Sequence, residues 1–128
     1  MDDRVDIEFR EIRVIIAERL VGETIRTLAR QKPNLIVDAD EEGVTVRART
    51  EGSVPWEWIE DVYEILVQEG EIEAKDLQQG ELRVRGGFRS SFIFALLAQF
   101  AHVEPRVNPI GLTYREPHGP IRLAGGHV

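Results

Sequence analysis

The chain has 128 residues, 42% hydrophobic and 30% charged, a balance that suits one ordinary domain, or two very small ones sharing a core, and argues against disorder except at the ends. It has no cysteine, which excludes disulfide staples, thiol catalysis and cysteine-ligated zinc and favours a reducing, cytoplasmic setting. Its formal net charge of −7 argues against a surface that binds phosphate all over.

The charge is unevenly spread. Residues 57–81 carry nine acids and one base, whereas residues 82–128 carry six arginines and two acids. An acidic middle and a basic end say more about partners than the total does. The longest apolar run, Phe92–Ala98, falls well short of the roughly 18–20 residues that span a bilayer, so no membrane partner is expected. The acidic start, Met1-Asp2-Asp3, is not that of a signal peptide.

In chain order, Phe9, Ile12, Ile16 and Leu20 recur at three and four residues, which predicts a helix over 6–21, with Ile15 widening its stripe. Gly22 suits the left-handed position after it. Three short strands are predicted next, at 24–28, 35–39 and 44–49. In the last, Val44, Val46 and Ala48 alternate with Thr45, Arg47 and Arg49, as in a half-buried strand. Gly43 closes the turn before it, with freedom to take positive φ.

Glu51-Gly52 reads as a turn and Ser53 as the cap of a helix over 55–68, with Pro55 near its first position. Trp58 or Ile59, with Val62, Ile65 and Leu66, supplies its apolar face, and Gly70 ends it. A short helix over 72–78, an extended piece at 82–85 and a glycine hinge follow. Ser90 or Ser91 then caps a strongly apolar helix reaching about Phe100. The segments 103–107 and 111–115 are placed to pair as a hairpin, and the Gly-, Pro- and His-containing tail is expected to be poorly ordered.

From residue 55 onward, helix, short helix, turn, buried helix and hairpin follow in the order that a winged helix-turn-helix requires. The expected fold class is therefore α+β: an N-terminal helix and three-stranded antiparallel meander packed on a winged helix-turn-helix. Its subdomains would be 1–52 and 53–116, with 117–128 as a tail. Function then centres on Arg83, Arg85, Gly86, Gly87, Arg89, Ser90 and Ser91. Arginine meets phosphate or guanine with two parallel hydrogen bonds, and glycines allow close backbone approach. Serines and free amides at a helix start attract anions. Arg47 and Arg49, with Arg26 on a neighbouring strand, would extend the basic face toward DNA. The plainer alternative is that these arginines are solvated and the serines merely cap.

Two other features bear on partners. Trp56 and Trp58 are two residues apart and cannot both face one core, so an exposed one is a candidate interface anchor. The acidic helix is either a solvated face or an attractor of a basic partner. DNA binding is the leading reading, and a protein-docking or homodimerisation module is the alternative.

Enzyme readings are weaker, and the chain is expected to be non-catalytic and without cofactor or metal. Glu73-Ala74-Lys75, with Asp61 upstream, has the residue types of a metal-dependent nuclease, but lies between predicted helices rather than on a strand. Asp38, Asp40, Glu41 and Glu42 lack the spacing of a calcium loop and fit a turn. His102, His118 and His127 lack metal-ligand spacing.

Residues 20–28, Pro33-Asn34, the Val37 to Val46 hairpin, Val54-Pro55-Trp56-Glu57-Trp58 and Arg89 to Leu97 together resemble small bacterial accessory domains. These accompany modification-dependent restriction endonucleases of the HNH type and related defence proteins. The likeness covers residues 7–104 and implies DNA association. It carries no catalytic residue over, because the HNH histidines and asparagine have no counterpart here. The acidity of 57–81 departs from a DNA-reading face.

Overall fold

A computed structural model describes residues 3–78 and 90–124. The apolar stripe of the first segment forms helix α1 (Asp3–Ile15), continued by one π-helical turn, Ile16–Leu20. Val5, Phe9, Ile12, Ile16 and Leu20 all face inward, and the chain reverses at Gly22, whose φ of 93° is left-handed.

Strands β1 (Thr24–Arg26), β2 (Pro33–Ala39), β3 (Gly43–Arg47) and β4 (Glu51–Pro55) form one antiparallel sheet in sequential order. The meander thus has four strands, not three. Glu51-Gly52 and Ser53, expected as a turn and a helix cap, instead pair with Arg47, Val46 and Thr45. Val54 is the buried residue of β4, and its pairing with Val44 outweighs the local turn preference of Glu-Gly-Ser. A bulge between Ile36 and Asp38 shifts the β2–β3 register. β3 ends at Arg47, so Ala48 is exposed rather than inward.

Gly43 serves close approach, not positive φ. A Cβ built there would lie 2.2 Å from the Val54 carbonyl oxygen and 2.8 Å from Pro55 Cα. The acids before it make a turn, in which Asp40 Oδ1 accepts the amides of Glu42 (2.9 Å) and Gly43 (3.1 Å).

Helix α2 (Trp56–Glu69) buries Trp56, Ile59, Val62, Tyr63 and Leu66, and Gly70 closes it by donating its amide to the Leu66 carbonyl. The segment expected as a short helix at 72–78 divides into β5 (Glu71–Glu73) and a 3-10 turn, Ala74–Gln78. Ile72 pairs with Leu112, a contact forty residues away that local pattern does not reveal. Helix α3 (Ser90–Leu97) is followed by β6 (Val103–Val107) and β7 (Ile110–Tyr114). These two strands and β5 make a second sheet, ordered β5-β7-β6.

The buried residues of both halves form one core cluster, in which α1 packs on α2 and α3 packs on β1. The 52/53 boundary falls inside β4. Residues 117–124, expected to be poorly ordered, lie against this core instead. Ile121 is buried and donates its amide to Glu11 Oε2 (3.1 Å), Leu123 bridges Phe100, and the Ala124 amide reaches the Gln99 carbonyl. Those anchors offset the Gly-Pro composition of the segment. Among the described residues, no helix is long and apolar enough to cross a membrane.

Candidate functional site

The basic segment expected to meet DNA is only partly within view. Arg83, Arg85, Gly86, Gly87 and Arg89 lie outside the described residues. Ser90 starts α3 but is only 7% exposed, while Ser91 is exposed. Residues 92–97 are all buried, and the helix lies against β1. A helix enclosed in this way has little side chain left to enter a groove.

The other arginines have local partners or separate positions. Arg47 Nη2 lies 2.9 Å from Glu51 Oε1. Arg26 donates to the Gln31 carbonyl (3.0 Å), and Arg49 stands exposed in the turn between β3 and β4. The tryptophans differ in depth but both reach the one core, which their spacing was expected to prevent. Trp56 is 6% exposed, donates its indole N–H to the Asp40 carbonyl (2.7 Å) and carries the Arg13 guanidinium 4.7 Å above its ring. Trp58 is half-buried against the core.

Among the described residues, one close cluster of titratable groups was not anticipated. Glu8 on α1 is buried beside Tyr63 of α2, His102 before β6 and Tyr114 of β7. Tyr63 donates its hydroxyl to Glu8 Oε1 at 2.5 Å, and Tyr114 donates to the same carboxylate at 3.1 Å. His102 Nε2 lies 2.8 Å from the Tyr63 oxygen. A phenol has one proton, and here Glu8 takes it, so the imidazole must donate from Nε2. That leaves Nδ1 as a bare acceptor, buried and without a partner among the described residues.

Burial holds His102 neutral, lowering its pKa to about 4. Burial, then the hydrogen bond and charge of Glu8, push the Tyr63 hydroxyl well above the usual tyrosine range. Burial and Glu8 raise Tyr114 to about 12, with Arg4 acting in the opposite direction. The sequence carried one signal for this cluster. Glu8 falls four residues before Ile12 and three after Val5, which puts a carboxylate on the apolar stripe.

Chemically the cluster joins α1, α2 and the second sheet through paired polar groups. No Ser, Thr or Cys nucleophile belongs to it, and both hydroxyls are spent on Glu8. A cavity of about 310 Å³ lies beside it, with His102, Arg115, His118 and Arg122 in its wall, but the free ring nitrogen is sealed from solvent. Arg115 is held by Glu104 at 2.7 Å. Among the described residues, no group of three or more histidines and carboxylates is arranged to hold a metal ion.

The outer face of α1 is of a different kind. Opposite its core stripe, Ile7 is 55% and Val14 50% exposed, and Val21, at the end of the π turn, is 39% exposed. Ile7 and Val14 lie two turns apart on α1, whereas Val21 sits in extended backbone beyond the π turn. Arg10, Glu11, Val14 and Ile15 line a shallow cleft of about 360 Å³. Acidic residues flank the helix where it meets α2. There burial, Asp6, Glu64 and Asp61 together raise the pKa of Glu60.

The chain matches no protein-family model, no curated protein and no solved structure.

Proposed function

We propose that this chain is a non-catalytic module that docks onto another protein through the outer face of α1. One observation carries the reading: two aliphatic side chains, Ile7 and Val14, are exposed two turns apart on α1, whose opposite face already fills the core, and Val21 is exposed in the extended backbone just beyond the π turn. An amphipathic helix is expected to turn polar residues outward, and single exposed aliphatics are unremarkable, but two on the same solvent face make an apolar strip that a partner can cover. The acidic residues beside the seam, Asp6, Glu60 and Glu64, would favour basic groups at the partner's rim.

The test is a photo-crosslinking amino acid placed at position 14 in host cells, with position 48 as an exposed control. The expected result is a covalent adduct to a polypeptide from position 14 and none from position 48. Absence of any adduct from position 14 removes the docking reading.

DNA contact is the second reading, favoured by a specific observation. The order α2, β5, 3-10 turn, α3, hairpin, with strand order β5-β7-β6, is the arrangement a winged helix-turn-helix would use, its hairpin acting as the wing. Arg83, Arg85, Arg89 and Ser91 would then supply the phosphate contacts, and the resemblance to restriction-associated domains implies DNA association. Fluorescence anisotropy with duplex DNA at two salt concentrations separates the readings. Affinity that falls steeply with salt and is weakened by Arg89→Ala supports DNA contact. No binding at low salt leaves docking as the sole reading.

A further inference from the structure

We infer that one end of the first sheet, where the β1–β2 and β3–β4 turns come together, is a surface for the phosphate backbone of a nucleic-acid duplex. The inference rests neither on the α1 face nor on the segment Arg83 to Ser91. The strand register brings the two turns together. Arg26 pairs with Pro33, Leu35 with Arg47 and Arg47 with Glu51. The turns 27–32 and 48–50 therefore leave the sheet at the same end, while Asp38, Asp40, Glu41 and Glu42 lie at the other end, around the β2–β3 turn.

Although each is held separately, Arg26, Arg30, Lys32, Arg47 and Arg49 thus gather at one end of the sheet, and all five are exposed. β1 and β3 are two strand spacings apart, about 10 Å. Glu51 is the one acid within 26–32 and 47–51, in a chain whose net charge is −7. Its pairing with Arg47 is itself exposed, so water and salt weaken it and the guanidinium stays available.

The first turn is fixed by its own bonds. Thr27 Oγ1 accepts the Lys32 amide (3.0 Å), and the Thr27 amide reaches the Lys32 carbonyl (3.0 Å). Gln31 donates its side-chain amide to the Thr27 (3.0 Å) and Leu28 (3.1 Å) carbonyls. It is held at φ 55°, a left-handed conformation that residues with a Cβ seldom adopt. The side chains of Arg30 and Lys32 are left without a partner among the described residues, on a backbone that has little freedom to lose on binding. The neighbours of the bases select the partner. Neither turn has an aromatic side chain to stack on an unpaired base, or a large exposed apolar one to enter a bilayer. Cations among short polar residues suit phosphates and read no base edge, and a duplex offers those phosphates as a fixed array.

Fluorescence anisotropy of the intact chain with two labelled duplexes of unrelated sequence should give equal affinities. With about four phosphates neutralised, affinity should fall about 150-fold between about 50 mM and about 200 mM salt. Arg30→Gln combined with Arg49→Gln, one change in each turn, should weaken binding at least about tenfold and make the salt dependence shallower by about two phosphates. Both side chains are exposed, so the melting temperature should not change. Arg10→Gln combined with Arg122→Gln changes the net charge equally at other exposed positions and should leave binding unaltered. Arg89→Ala should leave it unaltered too.

No binding to either duplex at the lower salt overturns the inference. Binding that survives the Arg30 and Arg49 changes but is lost in Arg89→Ala overturns it as well, and assigns the contact to the segment before α3. An equal loss in the Arg10 and Arg122 variant reduces the effect to net charge and removes the surface. Binding to vesicles of anionic phospholipid with none to duplex overturns the choice of partner. The crosslink from position 14 is independent of all these outcomes, so the docking reading stands or falls separately.

Discussion

At the scale of single residues, the cost of a buried polar group decides what the Glu8 cluster is for. Tyr63 satisfies two partners at once, the Glu8 carboxylate and the His102 N–H. Tyr63→Phe keeps the ring and its edge contact with Tyr114 at 6.3 Å but removes both bonds. Glu8 keeps Tyr114 as a donor, whereas His102 would have neither ring nitrogen paired. A buried unsatisfied group costs about 1–3 kcal/mol, so Tyr63→Phe should destabilise the fold by roughly 2–4 kcal/mol. Tyr114→Phe, at the half-exposed rim where water can replace the hydroxyl, should cost about 1 kcal/mol. Urea denaturation of the two variants checks the ordering, and equal losses would contradict the assignment of Tyr63 as the centre. Three of the four partners were invisible in the sequence because the bonds span 39 to 106 residues. Glu8 alone was legible, as a carboxylate at a core spacing, whereas Trp56 and Trp58, expected to part, both reach the one core.

At the scale of elements, local pattern found what local pattern makes. The helix at the N-terminus, α2, α3 and the terminal hairpin follow from periodicity and turn residues close at hand. β4 and β5 did not, because each exists through pairing. Glu51–Pro55 is polar enough to read as a turn until β3 lies beside it, and Glu71–Glu73 continues a helical pattern until β7 claims Ile72. Gly43 shows how tightly β4 is held. The nearest atoms to an added Cβ are backbone, the Val54 oxygen and carbon and Pro55 Cα, none of which can swing aside. Gly43→Ala should therefore force β3 and β4 apart and cost roughly 1–3 kcal/mol, as overpacking does. Thermal denaturation checks it, and a melting temperature unchanged from the parent would mean that β4 can shift freely. Gly111 is in the same position against Ile72, where a Cβ would lie 2.6 Å from the carbonyl oxygen.

At the scale of the whole molecule, one polar cluster ties together α1, α2 and the second sheet, so the fold as a unit inherits its protonation chemistry. The sequence conveyed the α+β class and the split between acidic and basic stretches. It did not convey that α3 would be enclosed by β1, because that packing joins distant segments. That enclosure leaves α3 little free surface, whereas Ile7 and Val14 of α1 stay open to solvent. The pH dependence of stability follows from the same burial. His102 is neutral in the folded chain down to about pH 4, against 6.5 for an ordinary histidine. Above pH 6.5 the ring is neutral in both states and nothing is lost. Below it the unfolded chain takes up a proton that the folded chain refuses, so stability falls as pH drops from about 6.5 toward 4, by up to about 3 kcal/mol. Glu60 acts in the opposite sense, since protonation relieves its crowding with Asp6, Glu64 and Asp61. On the alkaline side Tyr63 and Tyr114 keep their protons in the folded state after free tyrosines have lost theirs. Stability should therefore fall again as pH rises through 10 toward 12. Urea midpoints measured at unit steps from pH 4 to pH 11 should trace a plateau with both flanks. His102→Gln should flatten the acid flank between 6.5 and 4, and an acid flank unchanged by that substitution would place the lost protons elsewhere in the molecule.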